Sequence, residues 1–238
     1  MGIAVSDWRL ARSTSQEGAL GVVSGTSINS VLARRLQLGD IGGHMRRALE
    51  HFPVPKIAED ILNTYYRAGG KGAEETFKLA PMYKIKTSLA GLRLTVAANF
   101  VEVFLAKEGH DGKVGINFLE KIQIPHLASA YGAMLAGVDY VLMGAGIPRQ
   151  IPGALDTLSQ NLKARYKLSV ENEATGDETY TEFDPAEIVG LPSDFPLTRP
   201  YFLAIIASAT LALSLAKKAT GHVDGFIIEY PVAGGHNA

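Results

Sequence analysis

Residues 114–148 read VGINFLEKIQIPHLASAYGAMLAGVDYVLMGAGIP, and the order of patterns within them decides the fold. Val114 to Phe118 is a short apolar run of the kind that forms a buried strand. Gln123-Ile124-Pro125 then leads into a helical stretch from about His126 to Ala136, which Gly137 ends, because glycine accepts the left-handed backbone that closes a helix. Tyr140 to Met143 is a second apolar strand, followed by the turn Gly144-Ala145-Gly146-Ile147-Pro148. Strands that are apolar along nearly their whole length have both faces covered, which is the signature of a parallel sheet, so the unit is βαβ and the class α/β.

The same grammar extends outward in both directions. Leu20 to Ser24 reads as a strand, Gly25-Thr26-Ser27 as a turn with Ser27 as an N-cap, and Ile28 to Gln37 as a helix stopped near Gly39. Ile3 to Val5 reads as a truncated first strand, entering a helix at Ser6 or Asp7 that Gly18 terminates. Toward the other end, Tyr201 to Ile206 is a strand, Ala209 to Ala219 a helix stopped near Gly221, and Gly225 to Glu229 a last strand opening into Ala233-Gly234-Gly235-His236. Six strands are expected on this count.

Two excursions interrupt the alternation, at about 43–92 and 150–200. The first is helical around Met45 to Leu49 and Ile57 to Tyr66. Within the second, Arg165 to Val170 and Thr179 to Phe183 alternate apolar and polar residues around Ala174-Thr175-Gly176-Asp177, which predicts an antiparallel hairpin in a small subdomain laid over one end of the sheet. Long excursions between βα units commonly serve as lids or partner surfaces, so a homo-oligomeric contact is among the expectations for them.

Composition narrows the function. With 47% apolar and 20% charged residues, the 238-residue chain can bury a sizeable core. A formal net charge of -1, with both signs mixed along the chain, gives no electrostatic footprint for nucleic acid or for an anionic membrane. The absence of cysteine excludes disulfides, thiolate metal sites and a cysteine nucleophile, and with no signal-peptide pattern it points to the cytoplasm. Phe202 to Ala216 is apolar but too short for a bilayer and carries Ser208, Thr210 and Ser214, so a strand running into a helix is expected there.

In parallel α/β folds, ligands and catalytic groups gather on the loops that follow the strands. Four such loops are glycine-rich or polar: Ser24-Gly25-Thr26, Asn117 with Glu120 and Lys121, Gly144 to Pro148, and Ala233 to Asn237. His236 alone among the histidines follows a strand directly at that end, where imidazole can move a proton near neutral pH. His44, His51, His110, His126 and His222 are expected on the surface or at caps. The pairs Arg34-Arg35 and Arg46-Arg47 read as solvated helix faces. No His-x-His or His-Glu-x-x-His motif calls for a metal, and Glu102 and Glu108 share a helix rather than facing each other as a glycosidase pair. Phe100, Val101, Val103 and Phe104 read as the packing face of that helix.

At these residues the sequence resembles the nitronate monooxygenase family, formerly called 2-nitropropane dioxygenases. Met1 to Ser6 is similar to the end of the family's Gly-Gly-Met-Gly first-strand motif, and Asp7 to Ala11 continues it. Leu20 to Thr26, Asn99 to Gly109, Gly115-Ile116-Asn117, Gly144 to Pro148 and Ala233 to His236 follow in the family's order. The resemblance implies a TIM-type (β/α)8 barrel holding FMN at its C-terminal face, with His236 as the catalytic base or anion donor. It implies flavin contacts at Gly2, Gly25, Asn117, Gly144, Ser208, Gly234 and Gly235. The implied reaction takes an alkyl nitronate or nitroalkane and O2 to a carbonyl product and nitrite, the cofactor carrying the redox chemistry. Two departures stand out: Glu229 is followed by Tyr230 and Pro231 where the family has glycine, and Asn237 differs from better-characterised members.

Two other readings remain open. An FMN-dependent enoyl-thioester reductase shares this barrel and the Gly-Gly-His region, and would need NAD(P)H and an acyl-carrier substrate. An inactive barrel fragment or interaction module would use the glycine loops only to turn the chain. Six strands rather than eight also lead to the expectation of an incomplete barrel, with exposed edge strands, weak flavin retention and a tendency to associate.

Overall fold

The computed structural model describes residues 2–172, 174, 176–230 and 232. Its core is a five-stranded sheet of β1 (Gly21–Ser24), β2 (Val114–Leu119), β3 (Tyr140–Gly144), β6 (Tyr201–Ile206) and β7 (Gly225–Ile228), in that spatial order. Every adjacent pair is parallel. The other two strands, β4 (Ala164–Lys167) and β5 (Tyr180–Phe183), form the antiparallel hairpin anticipated from their alternation. The helices are α1 (Trp8–Gln16), α2 (Ile28–Gln37), α3 (His44–Glu50), α4 (Pro55–Tyr65), α5 (Leu89–Lys107), α6 (His126–Leu135), α7 (Ile151–Ser159), α8 (Pro185–Ile188) and α9 (Ala209–Lys218).

Strand order follows chain order, so each crossover steps in the same direction. Because such crossovers are almost always right-handed, they place their helices on one face of the sheet. The burial agrees. Val23, Ile116, Phe118, Val141, Met143, Phe202, Ala204 and Ile206 alternate with their neighbours and are buried beneath the helices. On the opposite face the register aligns Tyr140 with Tyr201, Leu142 with Leu203 and Ile205 with Ile227. Much of that second face is only half-buried, and Tyr201 is 57% exposed.

Local chemistry sets the ends of the helices. Asp7 caps α1 by accepting the amides of Arg9 and Leu10, a contact of about 1 kcal/mol. Ser208 caps α9 in the same way through Leu211. Ser27 occupies the N-cap position of α2 as expected, but with φ of 59° and no side-chain cap bond. Helix α5 has 19 residues and is long and apolar enough to cross a membrane. It is instead the central helix of the outer layer, packed against α1, α2, α3, α4 and α6, with 72% of its apolar window buried.

Several expectations are corrected. Ile3 to Val5 is not a strand: the amides of Val5 and Ser6 both return to the Gly2 carbonyl, and Ala4 has φ of 59°, so the segment is a turn. The turn takes the Val5 and Ser6 amides out of any ladder, and the sheet among the described residues has five strands rather than six. β1 and β7 are its edges and do not pair with each other, so no closed barrel is formed there. The hairpin packs against α6 and α7 in the helical layer, and Tyr166 also ties it to Glu120 in the loop after β2. The arginine pairs are not plain solvated faces either. Arg35 joins Asp7 at 3.1 Å and Glu102 at 2.9 Å, and Arg47 holds both carboxylate oxygens of Glu108 at 2.8 Å.

Candidate ligand site at the carboxyl ends of the strands

Parallel pairing brings the ends of all five strands to one edge of the sheet, and short backbone bonds knit their loops together. The Ser24 amide donates to the Ser6 carbonyl at 2.9 Å, which seats the Gly2 to Ser6 turn beside β1. Gly25 donates to the Asn117 carbonyl at 2.8 Å, and the Thr26 hydroxyl accepts from Leu119 at 3.1 Å. Glu120 donates to the Gly144 carbonyl at 2.8 Å. Ser208 follows β6 by two residues and is exposed at the start of α9. Gly2, Gly25, Asn117, Gly144 and Ser208 are therefore gathered at one end. His236, Gly234 and Gly235 lie outside the described residues.

The glycines of this set have packing reasons of their own. A Cβ on Gly25 would come within 2.3 Å of the Phe118 ring, and one on Gly144 within 2.9 Å of Ile205. Close approach inside the protein accounts for both, so neither glycine marks a ligand cradle by itself. Asn117 is different. It lies on the half-buried face in register with Ser24 and Leu142, is 5% exposed, and among the described residues its amide nitrogen makes only a 3.5 Å contact with the Leu142 carbonyl. That contact is at the limit of a hydrogen bond, which leaves a buried amide with donor capacity at the strand ends. An amide there, with the capped N-terminus of α9 nearby in the same row of loops, suits a planar ligand bearing carbonyl groups and an anionic tail.

A second cluster borders this edge, built on Glu120, which the sequence placed in a polar strand-end loop without its partners. Glu120 Oε1 accepts from the Tyr166 hydroxyl at 2.9 Å and from Gln123 at 3.1 Å. Gly146 has φ of 151°, and a Cβ there would fall 1.9 Å from Glu120 Oε2, so the β3 loop rests directly on this carboxylate. Burial raises the Tyr166 phenol above its ordinary range, and the Glu120 carboxylate raises it further.

His126 was expected at a cap or on the surface and is instead 2% exposed. Its Nε2 contacts the Leu119 carbonyl at 3.1 Å; a carbonyl only accepts, so Nε2 carries the proton, and Nδ1 has no partner among the described residues. Burial lowers its pKa to about 4, against the opposing effect of that hydrogen bond, and the ring is neutral at pH 7. Its edge meets the Tyr166 ring at 5.2 Å. The signal was available: His126 to Leu135 contains no charged residue, and a helix apolar all round is buried all round.

Among the described residues no group of three or more His, Cys, Asp or Glu side chains is placed to hold a metal. A groove of about 610 Å³ lies between Lys86 to Leu92, the hairpin and α8, and is lined by none of the strand-end residues named above. Compared with family models, with curated proteins and with solved structures, the chain matches none.

Proposed function

We propose that the chain is a flavin-dependent oxidoreductase of the nitronate monooxygenase type, built on the wall of a (β/α)8 barrel with FMN at the carboxyl ends of its strands. The observation that carries this reading is the sequential, all-parallel order of the five strands with a buried amide, Asn117, on the face away from the helices. A doubly wound sheet reverses its order at a switch point and covers both faces with helices; a barrel wall does neither. In this reading the half-buried face is the barrel interior, and the exposed Tyr201 lies on that face.

FMN, when bound, supplies the electron acceptor. Asn117 then offers its amide to the edge of the ring, and Ser208 with the first amides of α9 offers donors to an anionic group. His236 takes the proton from a nitroalkane or holds the nitronate oxygens. The resemblance in the ordered motifs from Leu20 to His236 supports the assignment of substrate class.

Oxygen uptake with an alkyl nitronate, measured beside NAD(P)H oxidation with a crotonyl thioester, tests the assignment on FMN-supplemented protein. Uptake with the nitronate is expected. Turnover of NAD(P)H alone would transfer the assignment to the enoyl-thioester reductase class, and inactivity in both assays with bound flavin would remove both.

A further inference from the structure

We infer that the groove between α4 and α5 is a binding site for an aliphatic carboxylate. Its volume is about 350 Å³, within the size range of small-molecule sites, and none of the strand-end residues lines it. Ile57, Ile61 and Tyr65, spaced by four along α4, present one wall, and Leu89, Arg93 and Leu94 of α5 the other. The floor is therefore hydrocarbon, fit for a chain of methylenes.

The polar groups choose the charge of what enters. Arg93 donates through Nε to the Ile188 carbonyl at 2.7 Å, which fixes the guanidinium plane. No carboxylate among the described residues pairs with it, so its terminal nitrogens keep their donors for a ligand. Tyr65 is 5% exposed, and its hydroxyl has no hydrogen-bond partner among the described residues. The one acid in the wall, Asp60, is engaged by Lys56 at 2.9 Å. Two uncommitted donors above an apolar trough select an acceptor-bearing anion on an apolar tail, and a carboxylate matches the guanidinium fork.

Isothermal titration of sodium decanoate, below its micelle concentration, tests this on the folded protein, with decanol as the uncharged control. Saturable binding of decanoate is expected, with decanol weaker by about tenfold, as for loss of a charge-assisted hydrogen bond. Arg93→Gln is expected to weaken decanoate by about the same tenfold and leave decanol unchanged. Ile61→Trp fills the trough and is expected to abolish both; if its melting curve shows loss of fold, the exposed rim variant Ala90→Trp serves the same purpose. Absence of saturable decanoate binding, equal affinities for decanoate and decanol, or binding that survives the filling variant in a folded protein would each overturn the inference.

Discussion

The Tyr166 hydroxyl donates to Glu120 Oε1 at 2.9 Å, joining two residues 46 positions apart in sequence. One is on the inserted hairpin, and the other is in the loop at the carboxyl end of β2. The hairpin is thereby tied to the edge where a ligand of this fold would bind. Tyr166→Phe removes the donor but keeps the ring against His126. A loss of about 1–3 kcal/mol is expected, because a charged acceptor inside the protein loses a partner. An unchanged melting temperature would show that Gln123 alone satisfies Glu120.

Gly146 and Gly137 separate steric demand from backbone demand. Both have positive φ, 151° and 69°, but a Cβ on Gly137 meets nothing within 4 Å, whereas one on Gly146 collides with Glu120. Gly137→Ala should cost about 1–2 kcal/mol for the left-handed backbone alone. Gly146→Ala should cost more, and Glu120→Ala in the same chain should restore part of the difference. Equal costs in thermal melts would contradict the contact.

His126 gives a pH dependence with a definite sign. Its pKa is about 4 folded, against 6.5 unfolded, so between these values the unfolded chain binds more protons. Stability is complete above pH 6.5 and falls as the pH drops toward 4, by about 3 kcal/mol in all, with no further loss from this group below that. Glu102 acts in the opposite direction, since burial raises its pKa. The difference between the natural protein and His126→Gln isolates the histidine: the variant should lose stability less steeply from pH 6.5 to 4. Parallel curves would contradict the burial.

Arg34 and Arg35 are neighbours with different duties. Arg35 is the partner of Glu102, whose side chain is 6% exposed, while among the described residues Arg34 has no ion pair and lies over the Phe77 ring at 5.3 Å. Arg35→Met should destabilise by about 3 kcal/mol, lessened as Glu102 takes up a proton, and Arg34→Met by less than about 1 kcal/mol. Guanidinium chloride melts of the two variants give the comparison directly.

What was legible in the sequence was what local pattern controls. The strands from Leu20 onward, the helices between them and the hairpin at Arg165 to Phe183 follow from apolar spacing and glycine stops. Ile3 to Val5 failed because three apolar residues carry too little periodicity to outweigh a turn closed on Gly2. Arg35 and His126 failed for another reason, and Glu120 was placed in its strand-end loop without its partner. Their roles depend on Glu102, Tyr166 and the Leu119 carbonyl, contacts that packing creates, and only the uniformly apolar run after His126 hinted at one of them. For the site, Asn117 and the glycine loops were visible as strand-end positions, but the packing that explains Gly25 and Gly144 was not.

The proposed flavin site lies at the carboxyl ends of β1, β2, β3 and β6, with Asn117 as its buried donor. Titration of FMN into the purified protein, followed by quenching of flavin fluorescence, tests it most directly when run beside Asn117→Leu, a nearly isosteric change that removes the buried amide. Saturable quenching is expected for the natural protein and binding weaker by about tenfold for the variant, the worth of one or two lost hydrogen bonds. No saturable quenching, or identical affinities in two equally folded proteins, would rule out flavin binding through Asn117.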